Sequence, residues 1–176
     1  MSSSSPGLAK VSFYGVYLDN LAQVRIFPYD CANQFNTMDV LKQLREEFPA
    51  RPMKVIWDGA FYHRAKMVHI AAEVFDIILE PLPLYSPDFM PVEHLWQWLR
   101  EEVTYRTCYD SKADLKAQVA RFQHRINATP LAIADRLWVK LTWIQKKKNY
   151  GSQNRLGLSL SPGLPRIYYY RDLLDQ

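Results

Sequence analysis

Two carboxylates, Asp58 and Glu93, stand with thirty-four residues between them, each where an acidic side chain can do chemistry. Asp58 closes the apolar run Lys54-Val55-Ile56-Trp57, and Gly59 behind it permits close backbone approach. Glu93 follows Pro91 at the start of a helical pattern, where proline fixes the entry and the helix dipole favours negative charge. Mg²⁺ takes hard oxygen ligands and is often held by one or two carboxylates together with a substrate phosphate. Two such ions roughly 3.5–4 Å apart stabilise the attacking and leaving oxygens of an in-line displacement at phosphorus. That chemistry needs no Ser, Cys or His nucleophile. On residue types alone a plainer role competes: Asp58 as a strand-end cap and Glu93 as a charge at a helix amino end.

The surrounding elements must hold these two groups. Lys10–Leu18 alternates as a strand with Val11, Phe13, Val16 and Leu18 apolar; Asp19-Asn20 marks a turn, and Gln23–Tyr29 returns, so 10–29 reads as a hairpin. Asn36-Thr37 caps a helix bearing Met38, Leu41, Leu44 and Phe48, ended by Pro49. Met53–Trp57 is a continuous apolar run, the pattern of a strand buried on both faces. Residues 63–75 form a helix with Met67, Ile70, Ala71 and Val74 on one side, and 77–82 is a strand. Pro91–Val103 is helical along Val92, Leu95, Trp96, Leu99 and Val103. Ser111 caps a helix through Leu115, Val119, Phe122 and Ile126, and a last helical pattern near 130–147 runs out in Lys146-Lys147-Lys148. From Tyr150 onward Gly, Ser and Pro are frequent and periodicity is lost. Strands alternating with helices indicate an α/β fold with a partly parallel sheet, whose functional groups collect outside the carboxyl ends of its strands.

Length and charge narrow the partners. The chain of 176 residues fits one domain with a tail, and its 48% hydrophobic content is ample for a core. It has no apolar stretch long enough for a membrane span, and its Ser-rich start is not a secretory signal. The two cysteines, Cys31 and Cys108, lack zinc spacing and read as free thiols of a reducing compartment, which places the chain in the cytoplasm. The net charge of +4 is uneven: residues 1–135 carry 14 Lys/Arg against 16 Asp/Glu, and residues 136–176 carry 8 against 2. A basic tail on a near-neutral body suits a polyanion, or simply a solvated cationic end.

Val55-Ile56-Trp57-Asp58-Gly59-Ala60-Phe61-Tyr62-His63 resembles the strand-plus-Asp-Asn-Ala-x-x-His motif of mariner-like insertion-sequence transposases of the DDE superfamily. Leu82-Pro83-Leu84-Tyr85-Ser86-Pro87-Asp88-Phe89-Met90-Pro91-Val92-Glu93-His94-Leu95-Trp96 resembles their Leu-Pro-x-Tyr-Ser-Pro-Asp-Leu-Asn-Pro-Ile-Glu-x-x-Trp motif, at the spacing of that superfamily's second and third acids. The resemblance covers about residues 10–125. It implies an RNase H-like mixed sheet flanked by helices, with Mg²⁺- or Mn²⁺-dependent cleavage and strand transfer of DNA. Asp58 would be the second metal ligand and Glu93 the third. Gly59 and Met90 replace asparagines of the motifs, which removes polar groups that orient ligands.

The family's first acid lies on a strand upstream of the hairpin, and this sequence opens at about the hairpin. The expectation is therefore a truncated catalytic domain over 9–128, following a disordered 1–8. It lacks its first, central strand and is followed at 129–176 by C-terminal helices and a basic aromatic tail. An open slot between two strands invites pairing with another chain, so self-association or an upstream-encoded transposase fragment is the expected partner besides element ends and target DNA. Asp19 and Asp30 fall in turns, where aspartate serves local hydrogen bonds. His63 either approaches the site rim or DNA phosphate, or merely starts a helix. Lys146, Lys147, Lys148 and Arg155 can follow a phosphate backbone, whereas Tyr168-Tyr169-Tyr170 either stack on bases or tie the tail to the body. The expected function is a transposase acting by metal-dependent phosphoryl transfer, either alone or only in a complete assembly. The alternative is a non-catalytic DNA-binding remnant.

Overall fold

The computed structural model describes residues 11–57, 64–82 and 90–137, together with the backbone of 166–174. The hairpin is formed by β1 (Val11–Leu18) and β2 (Gln23–Tyr29), antiparallel, with Gly15 opposite Ile26. After α1 (Gln34–Glu47) comes β3 (Met53–Trp57), then α2 (Lys66–Val74) and β4 (Ile77–Pro81), which runs parallel to β3. A helical half follows: α3 (Pro91–Leu99) continuing into a π-helical turn at Arg100–Thr104, α4 (Lys112–Asn127) and α5 (Pro130–Leu137). The last strand, β5 (Arg166–Leu174), does not lie at an edge. The sheet order is β2-β1-β5-β3-β4, so β5 is inserted between the hairpin and the buried parallel pair. It is antiparallel to β1, with Val11 opposite Leu174, and parallel to β3, with Trp57 opposite Tyr169.

This corrects two expectations. The open slot is filled by the chain's own C-terminal strand, so an unpaired edge there gives no reason for self-association. The segment whose periodicity is lost after Tyr150 ends in a strand, and the three tyrosines do tie the tail to the body. The aromatic, β-favouring run Ile167–Tyr170 supplies that strand. Its position explains β1, all eight of whose residues are buried because strands flank it on both sides.

Each face of the sheet carries its own core. Val11, Phe13, Tyr17 and Ile56 join Val92, Leu95, Trp96 and Leu99 of α3 and the apolar stripe Leu115, Val119, Phe122 and Ile126 of α4. Tyr14, Val16, Leu18, Met53, Val55 and Trp57 face Val40, Leu41 and Leu44 of α1 and Val68 and Ala72 of α2. The alternation along β1 and β3 thus sorts side chains to opposite layers. The buried stripe of α2 is not the expected one. Met67, Ile70 and Val74 are exposed, Val74 at 76%, and Val68 and Ala72 are buried. The helix has only nine residues and a mostly apolar composition, so two stripes satisfy the same period. The cap of α1 also shifts: Asn33 accepts from the Asn36 backbone N–H at 2.9 Å, and the helix starts ahead of Asn36-Thr37.

Polar side chains close the remaining joints. Arg45 donates to the carbonyls of Phe48, Arg51, Phe75 and Asp76, at 2.6–3.1 Å, and so clamps the carboxyl ends of α1 and α2 together. On the outer edge of β2, Asn127 of α4 accepts from the Val24 N–H and donates to the Val24 carbonyl, both at 2.9 Å, while Gln123 accepts from the Ile26 N–H at 2.6 Å. Two amide side chains thereby satisfy backbone groups that a neighbouring strand would otherwise pair.

Burial and then the hydrogen bond it donates to Asp39, 2.5 Å away, raise the Tyr29 hydroxyl above its ordinary value near 10. Unfolding returns the group to that ordinary value, so the folded chain holds the proton to higher pH. The stabilising contribution is complete below pH 10 and is lost as pH rises toward the folded-state value. Melting temperature followed from pH 8 to 11 should fall above pH 10, and Tyr29→Phe should flatten that fall. An equally steep fall in the variant would assign the loss to other groups.

Candidate metal centre

The order of residues around Glu93 sets its position. Met90 is the cap of α3 and Pro91 its first residue, where a missing N–H costs nothing. The Glu93 N–H donates to the Met90 carbonyl at 3.0 Å, placing Glu93 in the first helical turn, half-buried, with Val92 and Leu95 buried on either side. The helix dipole favours a carboxylate there. His94, one residue on, is exposed, as are His69 and His124.

Helix α3 lies over β1 and β5, and it packs tightly on β1 at Gly15. A Cβ at Gly15 would come within 2.8 Å of Trp96 Cη2 and 2.9 Å of Val92 Cγ1, so the absence of a side chain lets the helix sit down on the strand. Gly15 stands opposite Tyr170 on β5, and the preceding β5 residue, Tyr169, stands opposite Trp57. Val92 and its neighbour Glu93 therefore sit close to the level at which β3 ends. Trp96 is fully buried, and its indole N–H has no acceptor among the described residues.

The strand leading to Asp58 is anchored at both of its layers. Trp57 is 2% exposed against the α1–α2 layer, and its carbonyl accepts from the Leu82 N–H at 2.8 Å. Ile56 lies on the α3 side. Opposite Ile56 on β4 is Glu80, whose carboxylate pairs with Lys54 at 2.9 Å in a mostly buried ion pair. Burying either charge alone would be costly, so this pair commits Glu80 to Lys54.

Of the acidic pair, Glu93 is described and Asp58 lies outside the described residues. His63, Lys146, Lys147, Lys148 and Arg155 also lie outside them. Asp30 is exposed and pairs with Lys112 at 3.4 Å and Lys116 at 3.9 Å, and Asp19 lies in the β1–β2 turn. Among the described residues no three His, Cys, Asp or Glu come together as a metal site. What the sequence does not announce is β5, whose carboxyl end runs alongside that of β3. The run Ile167–Leu174 carried the strand signal, obscured by the Gly-, Ser- and Pro-rich residues before it.

A family model described as DDE superfamily endonuclease matches residues 5–116, which includes both members of the acidic pair. Comparison with curated proteins gave no match, and comparison with solved structures gave none. No helix among the described residues is long and apolar enough to cross a membrane.

Proposed function

Because the chain belongs to the DDE superfamily endonucleases, a family that acts on DNA and generally uses divalent metal ions, we propose that Asp58 and Glu93 are its metal-binding carboxylates and that the reaction is phosphoryl transfer on DNA. The observation that carries this reading is the seat of Glu93: a half-buried carboxylate in the first turn of α3, held close to the level where β3 ends. Ile56 and Trp57, the last two residues of β3, face opposite layers, Ile56 the α3 side. An all-oxygen donor pair fits Mg²⁺ or Mn²⁺.

When bound, the ion supplies Lewis-acid stabilisation of charge at the transferring phosphoryl group. The chain's own residues supply position. Pro91 fixes the start of α3, the Trp96 ring against Gly15 fixes its height above the sheet, and the helix amino end favours a negative charge at Glu93. The Leu82–Trp57 hydrogen bond and the Lys54–Glu80 pair hold the end of β3 against β4. Likeness to mariner-type insertion-sequence enzymes extends the reading to strand transfer of element ends into target DNA. The excess of Lys and Arg after residue 135 offers backbone contacts that track phosphate. The setting is the cytoplasm, where the exposed thiols of Cys31 and Cys108 stay reduced.

The same basic excess favours one other reading, a DNA-binding chain that does not cut. Nicking of supercoiled DNA in Mg²⁺ or Mn²⁺ separates the two. Asp58→Asn and Glu93→Gln should each lower metal-dependent nicking by about a hundredfold or more, on the scale of losing an electrostatic catalytic group, while leaving salt-dependent DNA affinity in place. Nicking unchanged in both variants would remove these residues from the reaction. Affinity with no nicking by the parent chain would establish the binding-only reading.

A further inference from the structure

We propose that the outward face of α2 is a two-fold contact surface, on which a second copy of this chain lays its own α2 antiparallel. A helix on a domain surface ordinarily keeps one apolar stripe, turned to the core, and a polar opposite face. α2 carries two apolar stripes. Val68 and Ala72 are buried, whereas Met67, Ile70 and Val74 are exposed and contiguous at helical spacing. With about 100° between successive residues, Ile70 lies opposite the buried pair. Met67 and Val74 flank it on one side, and Lys66 and Glu73 flank it on the other. Arg45 holds the carboxyl end of this helix through the Phe75 and Asp76 carbonyls, each at 2.6 Å, so the face is presented already in place.

The charges beside the stripe identify its occupant. Among the described residues neither Lys66 nor Glu73 has an ion-pair partner. Within α2 they also stand the wrong way round: Lys66 is in the first turn, which holds no acid, and Glu73 is in the last, which holds no base. The helix dipole favours the reverse arrangement. An antiparallel second copy supplies what each charge lacks. The two-fold axis between two such helices brings like flanks together, so apolar flank meets apolar flank. Ile70 then lies beside Ile70 of the second copy, and Met67 beside its Val74. On the other flank Lys66 comes level with Glu73 of the second copy, and the symmetry repeats the pair. Each charge also lies beside the end of the neighbouring helix whose dipole favours it.

A parallel pair does not achieve this. Its two-fold axis runs along the helices and sets the charged flank of one copy against the apolar flank of the other. The face is thus complementary to itself in one orientation, as a closed two-fold contact requires. A helix of nine residues covers much less than the roughly 800 Å² per partner of a standard interface. The pair is therefore weak, forming between roughly 10 μM and 1 mM, and it closes on itself without adding strands to the sheet.

The test is sedimentation of the full chain over that concentration range, with circular dichroism confirming the fold of each variant. Monomer should give way to dimer. Ile70→Glu should raise the dimer dissociation constant by about tenfold or more, the scale of losing a central interface side chain. Lys66→Glu should raise it by about fivefold, because the symmetry repeats each exposed pair. Lys66→Glu combined with Glu73→Lys should restore it, and Leu131→Glu, at an exposed leucine of α5, should leave it unchanged. A parent chain that stays monomeric to about 1 mM overturns the inference. If that monomer binds phosphatidylcholine vesicles and Ile70→Glu does not, the face belongs to a lipid surface instead. Association that survives Ile70→Glu, or that Leu131→Glu weakens equally, places the contact elsewhere and overturns it. Should Ile70→Glu not fold, the exchanged pair decides: restored association supports the antiparallel contact, and association left weak by the double exchange overturns it.

Discussion

Ending the chain after Pro165 will cost the domain its cooperative unfolding transition. The deletion removes β5, a strand paired on both sides: from Val11–Leu174 to Leu18–Ile167 along β1, and from Lys54–Arg166 to Trp57–Tyr169 along β3. Each ladder bond contributes about 1 kcal/mol net, so a doubly paired strand approaches the roughly 5–15 kcal/mol that holds a domain together. The loss is more than hydrogen bonds. Without β5 the hairpin and the β3–β4 pair share no ladder, and β1, buried along its whole length, gains a bare edge between two cores. A urea titration followed by tryptophan fluorescence should show a broad transition with a much smaller denaturant dependence than the full chain. The truncated chain should also associate through the freed edge as concentration rises. A sharp transition at the full-length midpoint would show that the two halves hold together through helix packing alone.

Gly15→Val will be nearly as damaging, and in the direction opposite to strand propensity. Valine is among the better strand formers and glycine among the poorer, so an isolated hairpin would gain from the exchange. In the folded protein even the first added carbon overlaps Trp96 Cζ2 and crowds Val92 Cγ1 at 2.9 Å. The obstacle is the middle of a fully buried indole, with no flexible tip to swing away. Overpacking of this kind costs about 1–3 kcal/mol, and the two methyls of valine put the expected loss at the upper end. α3 must rise from the sheet to relieve it, carrying Glu93 away from the level at which β3 ends. The urea midpoint and metal affinity should therefore fall together. Gly15→Val with an unchanged midpoint would mean that α3 is not seated as described.

The parts of this fold that can be read from sequence are those in which one period dominates. The alternation of 10–29 yields the hairpin, and the run Met53–Trp57 yields a strand buried on both faces because both of its layers are apolar. Ser111 caps α4 as its sequence implies, accepting from the Asp114 N–H at 3.1 Å. Short helices are less legible: in α2, Met67, Ile70 and Val74 look like a core stripe, and it is the smaller pair Val68 and Ala72 that fits beneath α1. Non-local pairing is least legible. Nothing near Ile167–Leu174 states which strands will receive it, since its partners lie about 110 to 160 residues away along the chain. The motifs that single out Asp58 and Glu93 as candidates are legible because they are local in sequence.

The amides that α4 lays along β2 bear on how this protein behaves in company. In the sheet order β2 and β4 are the outermost strands. An incoming strand seeking to template on β2 meets Asn127 and Gln123 already engaged with Val24 and Ile26. At β4 it meets five residues ending in Pro81, which has no N–H to offer, and Glu80, whose charge is tied to Lys54. A chain with many aromatic strands and a central one delivered late is exposed to runaway sheet growth while it folds. Once closed, it presents one margin occupied by side chains and another too short to propagate, so growth of the sheet from copy to copy stops at the finished domain.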